Sequence, residues 1–118
     1  MPSLSELMRA YFRAYETKDR AALESIISLD FTFTSPYDDH IDRSTYLARC
    51  WPNSERTRTI QIRKLFENCN EAFVLYDLQP NEGKPFRNTE FFVGDGEKIK
   101  SVEVYFGSKI GRVEDAKP

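Results

Sequence analysis

The hydrophobic pattern of this chain changes period once, near Pro52, and that change constrains the fold more than any other feature. Before it, Leu4, Leu7, Met8, Tyr11, Phe12 and Tyr15 recur at three- and four-residue steps, the spacing of one apolar helix face. Ser3, with Glu6 in the capping-box position, sets the start of this helix. "TKD" closes it, and Asp19 caps a second helix whose apolar face is Leu23, Ile26 and Ile27. Phe31 and Phe33 alternate with Thr32 and Thr34 in a short strand stopped by Ser35-Pro36. A polar loop, Asp38 to His40, leads into a third helix, "DRSTYLARCW", which Pro52 ends. Beyond it the period is two, and "TIQIRKLF", "EAFVLYDL", "PFRNTEFFV" and "KIKSVEVYF" read as strands. The joints "NCNE", "QPNEGK" and "GDGE" are turns, so these strands form an antiparallel meander. The expected fold class is α+β: a curved antiparallel sheet packed on N-terminal helices, cone-shaped, with an internal pocket.

Length and charge narrow the function classes. The 118 residues fit a single domain spanning 1–118, with no internal repeat or linker, and only the closing "RVEDAKP" reads as frayed. A chain of this size buries roughly two thirds of its unfolded surface, enough for a core and one pocket. Seventeen basic and 19 acidic residues give a net charge of −2, which offers no broad positive field for nucleic acid or an anionic membrane. The basic stretch "SERTRTIQIRK" has no interleaved aromatic residue and reads as a solvated strand face. No run approaches a membrane span, and the N-terminus lacks the apolar segment of a signal peptide. Cys50 and Cys69 have neither metal-type spacing nor the number of a disulfide framework, which points to free thiols and a cytoplasmic protein.

The element order resembles the nuclear transport factor 2-like superfamily, which includes ketosteroid isomerase and the SnoaL-like polyketide cyclases. The resemblance covers about residues 4–107 and is carried by "LMRAYFRAYETKDRAALESII", "LDFTFTSPYD", "IDRSTYLARCW" and "EFFVGDGEKIKSVEVYF". It implies the cone and a small-molecule pocket, and it leaves the reaction open because this fold hosts many chemistries. In ketosteroid isomerase a tyrosine on the first helix and a protonated acid on a later strand are oxyanion donors, and an acid before the strand-ending proline is the base. Matched motif to motif, the helix tyrosine is Tyr11, the base position holds Ser35, and the second donor position holds Thr89. The resemblance therefore implies the pocket without the isomerase chemistry. In the same register the inner face of the meander is Ala72, Val74, Tyr76, Leu78, Arg87, Thr89, Phe91, Val102, Val104 and Phe106.

Chemistry is expected to gather at the mouth of the cone. Asp38 and His40 point to one side of an extended chain, so the carboxylate can raise the basicity of the only imidazole and make a general base. With Tyr11 they form the candidate catalytic set. Ser35, Trp51, Tyr76, Arg87, Thr89 and Phe106 are candidate ligand contacts, with Arg87 in need of a carboxylate partner or an acidic ligand if it faces inward. One histidine is too few for the usual zinc or iron site, so neither a metal nor another cofactor is expected. Two readings stay open: an acid–base enzyme acting on a small, largely apolar molecule, and a non-catalytic ligand-binding or protein-interaction module. Either is expected to be a homodimer paired through its sheet, because Val102, Val104 and Phe106 on one face, Ile99 and Tyr105 on the other, and the adjacent Phe91 and Phe92 leave both faces apolar.

Overall fold

The computed structural model describes residues 2–109, so the expected fraying of "RVEDAKP" lies outside the described residues. Helix α1 (Leu4–Thr17) begins at the capping box: Ser3 Oγ accepts from the Glu6 amide while Glu6 reaches back to the Ser3 amide. It ends at Lys18, whose φ of 58° is a left-handed cap. Asp19 caps α2 (Arg20–Ile26) through the Ala22 amide. Strand β1 (Ile27–Ser35) begins four residues before Phe31, so Ile27 belongs to the sheet and not to the second helix.

The expected polar loop is in part a short strand. β2 (Asp38–Asp42) folds back on β1 through a Pro36–Tyr37 turn, with Phe33 opposite Ile41 and Ser35 opposite Asp38. Asp42 then caps α3 (Arg43–Arg49), and a 3₁₀ segment, Trp51–Arg56, places Pro52 where a missing amide costs no hydrogen bond. The meander follows as β3 (Thr57–Asn68), β4 (Glu71–Pro80), β5 (Phe86–Asp95) and β6 (Lys98–Lys109).

Six strands form one open sheet in the order β2-β1-β6-β5-β4-β3. All neighbours are antiparallel except β1 and β6, which run parallel because the long connection through α3 and the meander returns the chain beside β1. The helices pack on one face of this sheet, giving the α+β cone. Met8, Leu23, Phe31, Tyr46, Phe92, Ile99 and Val102 are completely buried between the layers. Each such large apolar side chain contributes roughly 1.5–3 kcal/mol through burial. Phe92 is central: its ring meets Tyr11 edge-on at 5.3 Å and Phe12 at 5.8 Å.

One irregularity changes what the inner face carries. At the β5–β6 turn Asp95 pairs with Lys98 and Gly94 with Ile99, but Val93 pairs with Ser101, leaving Lys100 as an extra residue. Without that bulge Thr89 and Phe91 would oppose the inward Val104 and Val102. With it, Glu90 and Phe92 do, and Asn88, Glu90, Phe92 and Gly94 are the buried residues of β5. The expected inner positions Arg87, Thr89 and Phe91 therefore belong to the outer face. Ile99 is also relocated, from the outer face to the core, where it is fully buried.

Candidate active site

A cavity of about 90 Å³ lies between α1 and the sheet, lined by Tyr11, Phe12 and Tyr15 from α1, Phe33 from β1, Tyr76 and Leu78 from β4, Glu90 from β5 and Val104 from β6. Asn53, Thr57 and Ile60 complete its wall. A wider apolar groove of about 360 Å³ shares Tyr76, Leu78 and Val104 with it and continues over Phe86, Asn88, Phe106 and Gly107. The three shared side chains set the groove directly beside the inner chamber.

Glu90 is the single ionisable group of the chamber that changes charge near neutrality. It is 5% exposed, and burial pushes its carboxyl up to about 7, with the Tyr76 hydrogen bond opposing the rise. Its Oε1 accepts from the Tyr76 hydroxyl at 2.5 Å, whereas Oε2 has no hydrogen-bond partner among the described residues. The chain of donors behind Tyr76 has a defined direction. The Gly107 amide donates to Asn88 Oδ1 at 3.1 Å, which turns Asn88 Nδ2 toward the Tyr76 oxygen at 3.2 Å. Tyr76 accepts there, so its own hydrogen is directed at Glu90.

A second network faces the first. Tyr46, fully buried on α3 and packed on Phe31 and Phe33, holds the hydroxyls of Tyr11 at 2.7 Å and Tyr15 at 2.5 Å. Burial pushes all three phenols well up, and the Glu90 carboxyl nearby adds to the rise, so all are neutral at physiological pH. Three hydroxyl hydrogens serve two bonds. If both neighbours donated to Tyr46, its own hydrogen would be stranded among phenylalanine rings, which is costly. A directed chain leaves the free hydrogen instead on Tyr11 or Tyr15, both of which line the cavity.

Of the residues singled out from sequence, Tyr11 and Tyr76 meet at this chamber, and Phe106 lines the outer groove while half exposed. Trp51 packs on Tyr15, with ring centroids 5.0 Å apart. The others lie elsewhere. Arg87 is bidentate to Asp77 on the outer face, at 2.6 and 3.1 Å, with Arg63 on the same carboxylate. Thr89 lies between Leu75 and Tyr105 on that face. Ser35 holds the β1–β2 turn, its hydroxyl accepting from the Tyr37 amide and donating to Asp38 at 3.3 Å.

The expected Asp38–His40 pair does not form. His40 has φ of 50°, which breaks the extended alternation that would align the two side chains. Its Nδ1 lies 2.6 Å from Asp39 Oδ1 instead, with the imidazole 69% exposed. Asp38 turns the other way, nearly buried, where it pairs with Arg49 at 2.7 Å and accepts from the Cys50 thiol. Burial and then the Asp38 charge push that thiol up to about 11, away from nucleophilic use.

The groups missed from sequence are Glu90 and Asn88. Both follow from the bulge, and the inward Val102 and Val104 would have revealed them only once Lys100 was known to be extra. Among the described residues no group of three or more histidine, cysteine or acidic side chains could hold a metal, and no helix is long and apolar enough to cross a membrane.

No protein-family model and no curated protein matches the chain. Solved structures do. An NTF2-like protein of unknown function from Cytophaga hutchinsonii is 24% identical, with a TM-score of 0.72 over 90% of this chain and 91% of that one. An epoxide hydrolase from M. tuberculosis, described as LEH-like, is 14% identical, with a TM-score of 0.71 over 85% of this chain and 79% of its own. A Kribbella flavida protein described provisionally as a ketosteroid isomerase is 13% identical, with a TM-score of 0.71 over 95% and 86%. At these identities the likeness is one of fold. The chain has the NTF2-like fold, the α+β cone that its element order resembles.

Proposed function

We propose that the protein binds a small, largely apolar molecule in the cone and acts on it by acid–base chemistry of the isomerase, cyclase or hydrolase type. One observation carries this reading: Glu90, a buried carboxyl with one oxygen unpartnered among the described residues, belongs to the wall of a cavity that three tyrosines also line. Glu90 Oε2 is the proton acceptor or donor, since a carboxyl at about 7 exchanges its proton readily at neutral pH. The free hydroxyl hydrogen of the Tyr11–Tyr46–Tyr15 chain is the donor for an oxygen that gains negative charge. This moves the acid–base role from Asp38 and His40 to Glu90 and keeps Tyr11 in it. The fold is shared with proteins described as an epoxide hydrolase and, provisionally, an isomerase, which is compatible with such chemistry and does not choose among its forms.

The non-catalytic reading is favoured by one fact: Ser35, Asp38, His40, Arg87 and Thr89 all lie outside the cavity lining. Both readings include the homodimer, formed by the outer face of the sheet. Activity screening against small carbonyl, epoxide and enolisable substrates separates the two. Once a substrate is found, Glu90→Gln and Tyr11→Phe are each expected to reduce turnover on the order of 10²-fold or more in a folded protein. Full activity in both variants would remove the acid–base assignment.

A further inference from the structure

The hydrogen bonds around Glu90 are arranged for an anion that the chain does not neutralise. Each donor from the Gly107 amide onward passes its hydrogen toward Oε1, and such a directed chain strengthens its last bond most when the acceptor is charged. The 2.5 Å separation from Tyr76 is at the short end of contacts to an ionised carboxylate. Yet among the described residues no lysine, arginine or histidine lines the cavity, so Oε2 meets no cation of theirs. Half of the other lining residues carry rings. Tyr11, Phe12, Tyr15, Phe33 and Tyr76 present aromatic surface, which attracts a positive charge.

A carboxylate with one oxygen tied off, the other free, and aromatic walls around it is complementary to an organic ammonium ion. We infer that the chamber takes the protonated amino group of a small primary or secondary amine, whose apolar body extends over Leu78 and Val104 into the outer groove. The inference rests on the reading above that the cavity binds its ligand at Glu90, and it names the ligand class. The proton balance is simple: when a neutral amine meets the protonated acid, the carboxyl proton moves to nitrogen and an ammonium–carboxylate pair remains. Size agrees with this division. An apolar cavity of about 150 Å³ holds benzene, so a chamber of about 90 Å³ suits a head group and the larger groove suits the body.

The test compares three probes of equal chain length by calorimetry and by NMR of the wild-type protein: n-butylammonium, 1-butanol and butyrate. Above the carboxyl's value of about 7, butylammonium is expected to bind about 10-fold or more tightly than 1-butanol, as a hydrogen bond to a charged group implies, with butyrate weakest. Below that value the preference should vanish as Glu90 protonates. The other titratable groups facing Glu90 are the phenols of Tyr11 and Tyr15 from α1, Tyr46 from α3 and Tyr76 from β4, all shifted away from this range, so the change reports the carboxyl. Glu90→Gln should bind butylammonium no better than 1-butanol, and the wild-type pH comparison stands if that variant fails to fold. Equal binding of butylammonium and 1-butanol above pH 7 would overturn the amine assignment while sparing the cavity. Failure of all three probes to bind in the millimolar range would overturn both.

Discussion

Glu90 buries an ionisable group, and the cost appears in the stability of the fold. Its folded pKa, about 7, lies above the unfolded value near 4.3. The native state therefore holds the proton more tightly, so this contribution is fully present below the unfolded value and is lost as pH rises through about 7. The linked change is about 3 kcal/mol across that window. Urea unfolding at a series of pH values should show wild-type stability declining relative to Glu90→Gln between those limits. Parallel curves would mean that the carboxyl does not titrate there. Tyr11, by contrast, was readable from sequence, because its place on the apolar stripe of α1 leaves only one direction for its ring. Glu90 was not, since a glutamate in an alternating strand is read as solvent-facing by default.

The bulge at Lys100 decides the chemistry of strand β5, and local sequence gives it no mark. Phe91 and Phe92 are adjacent, so either phase of the strand presents an aromatic ring to the core, and "KIKS" is polar at the inserted residue. The helices are better specified: the Ser3–Glu6 box and the Asp19 and Asp42 caps each bind a free amide at the expected position. The strand within the polar loop is not legible in the sequence, because its pairing with β1 includes His40 at positive φ, which no alternation rule anticipates. Paired substitutions on β5 test the register. Phe92→Ala should cost about 3–5 kcal/mol by opening the centre of the core. Arg87→Ala removes a partly exposed ion pair and should cost far less. Similar costs in chemical denaturation would contradict this assignment of faces.

At the scale of the whole molecule, the described residues cover only one side of the sheet. On the other, Phe66 opposes Phe73, and Phe73 opposes and stacks on Phe91 at 4.7 Å, an aromatic row across three strands. Phe66 is 72% exposed and Phe73 49%. Acidic Glu71 lies at one end of this face, and Arg63 and Arg87 lie at the other. A second copy related by a two-fold axis would bring acid to base while covering the rings. Sedimentation should therefore give twice the chain mass of 13.8 kDa, and Phe73→Glu should shift it to a single chain with the fold intact. A monomer at micromolar concentration would remove the dimer.

The extra residue on β6 also bears on how such a chain can change. Strand β5 carries two complete side-chain sets, Asn88, Glu90 and Phe92 on one side and Arg87, Thr89 and Phe91 on the other. Loss of a single codon at Lys100 would not exchange them: Gly94–Ile99 and Val93–Ser101 would become consecutive pairs, and Glu90 and Phe92 would still oppose Val104 and Val102. A lineage could thus shed the bulge in one genetic step and keep its acidic chamber, whereas a basic one requires the strand to slip by a residue against both of its neighbours.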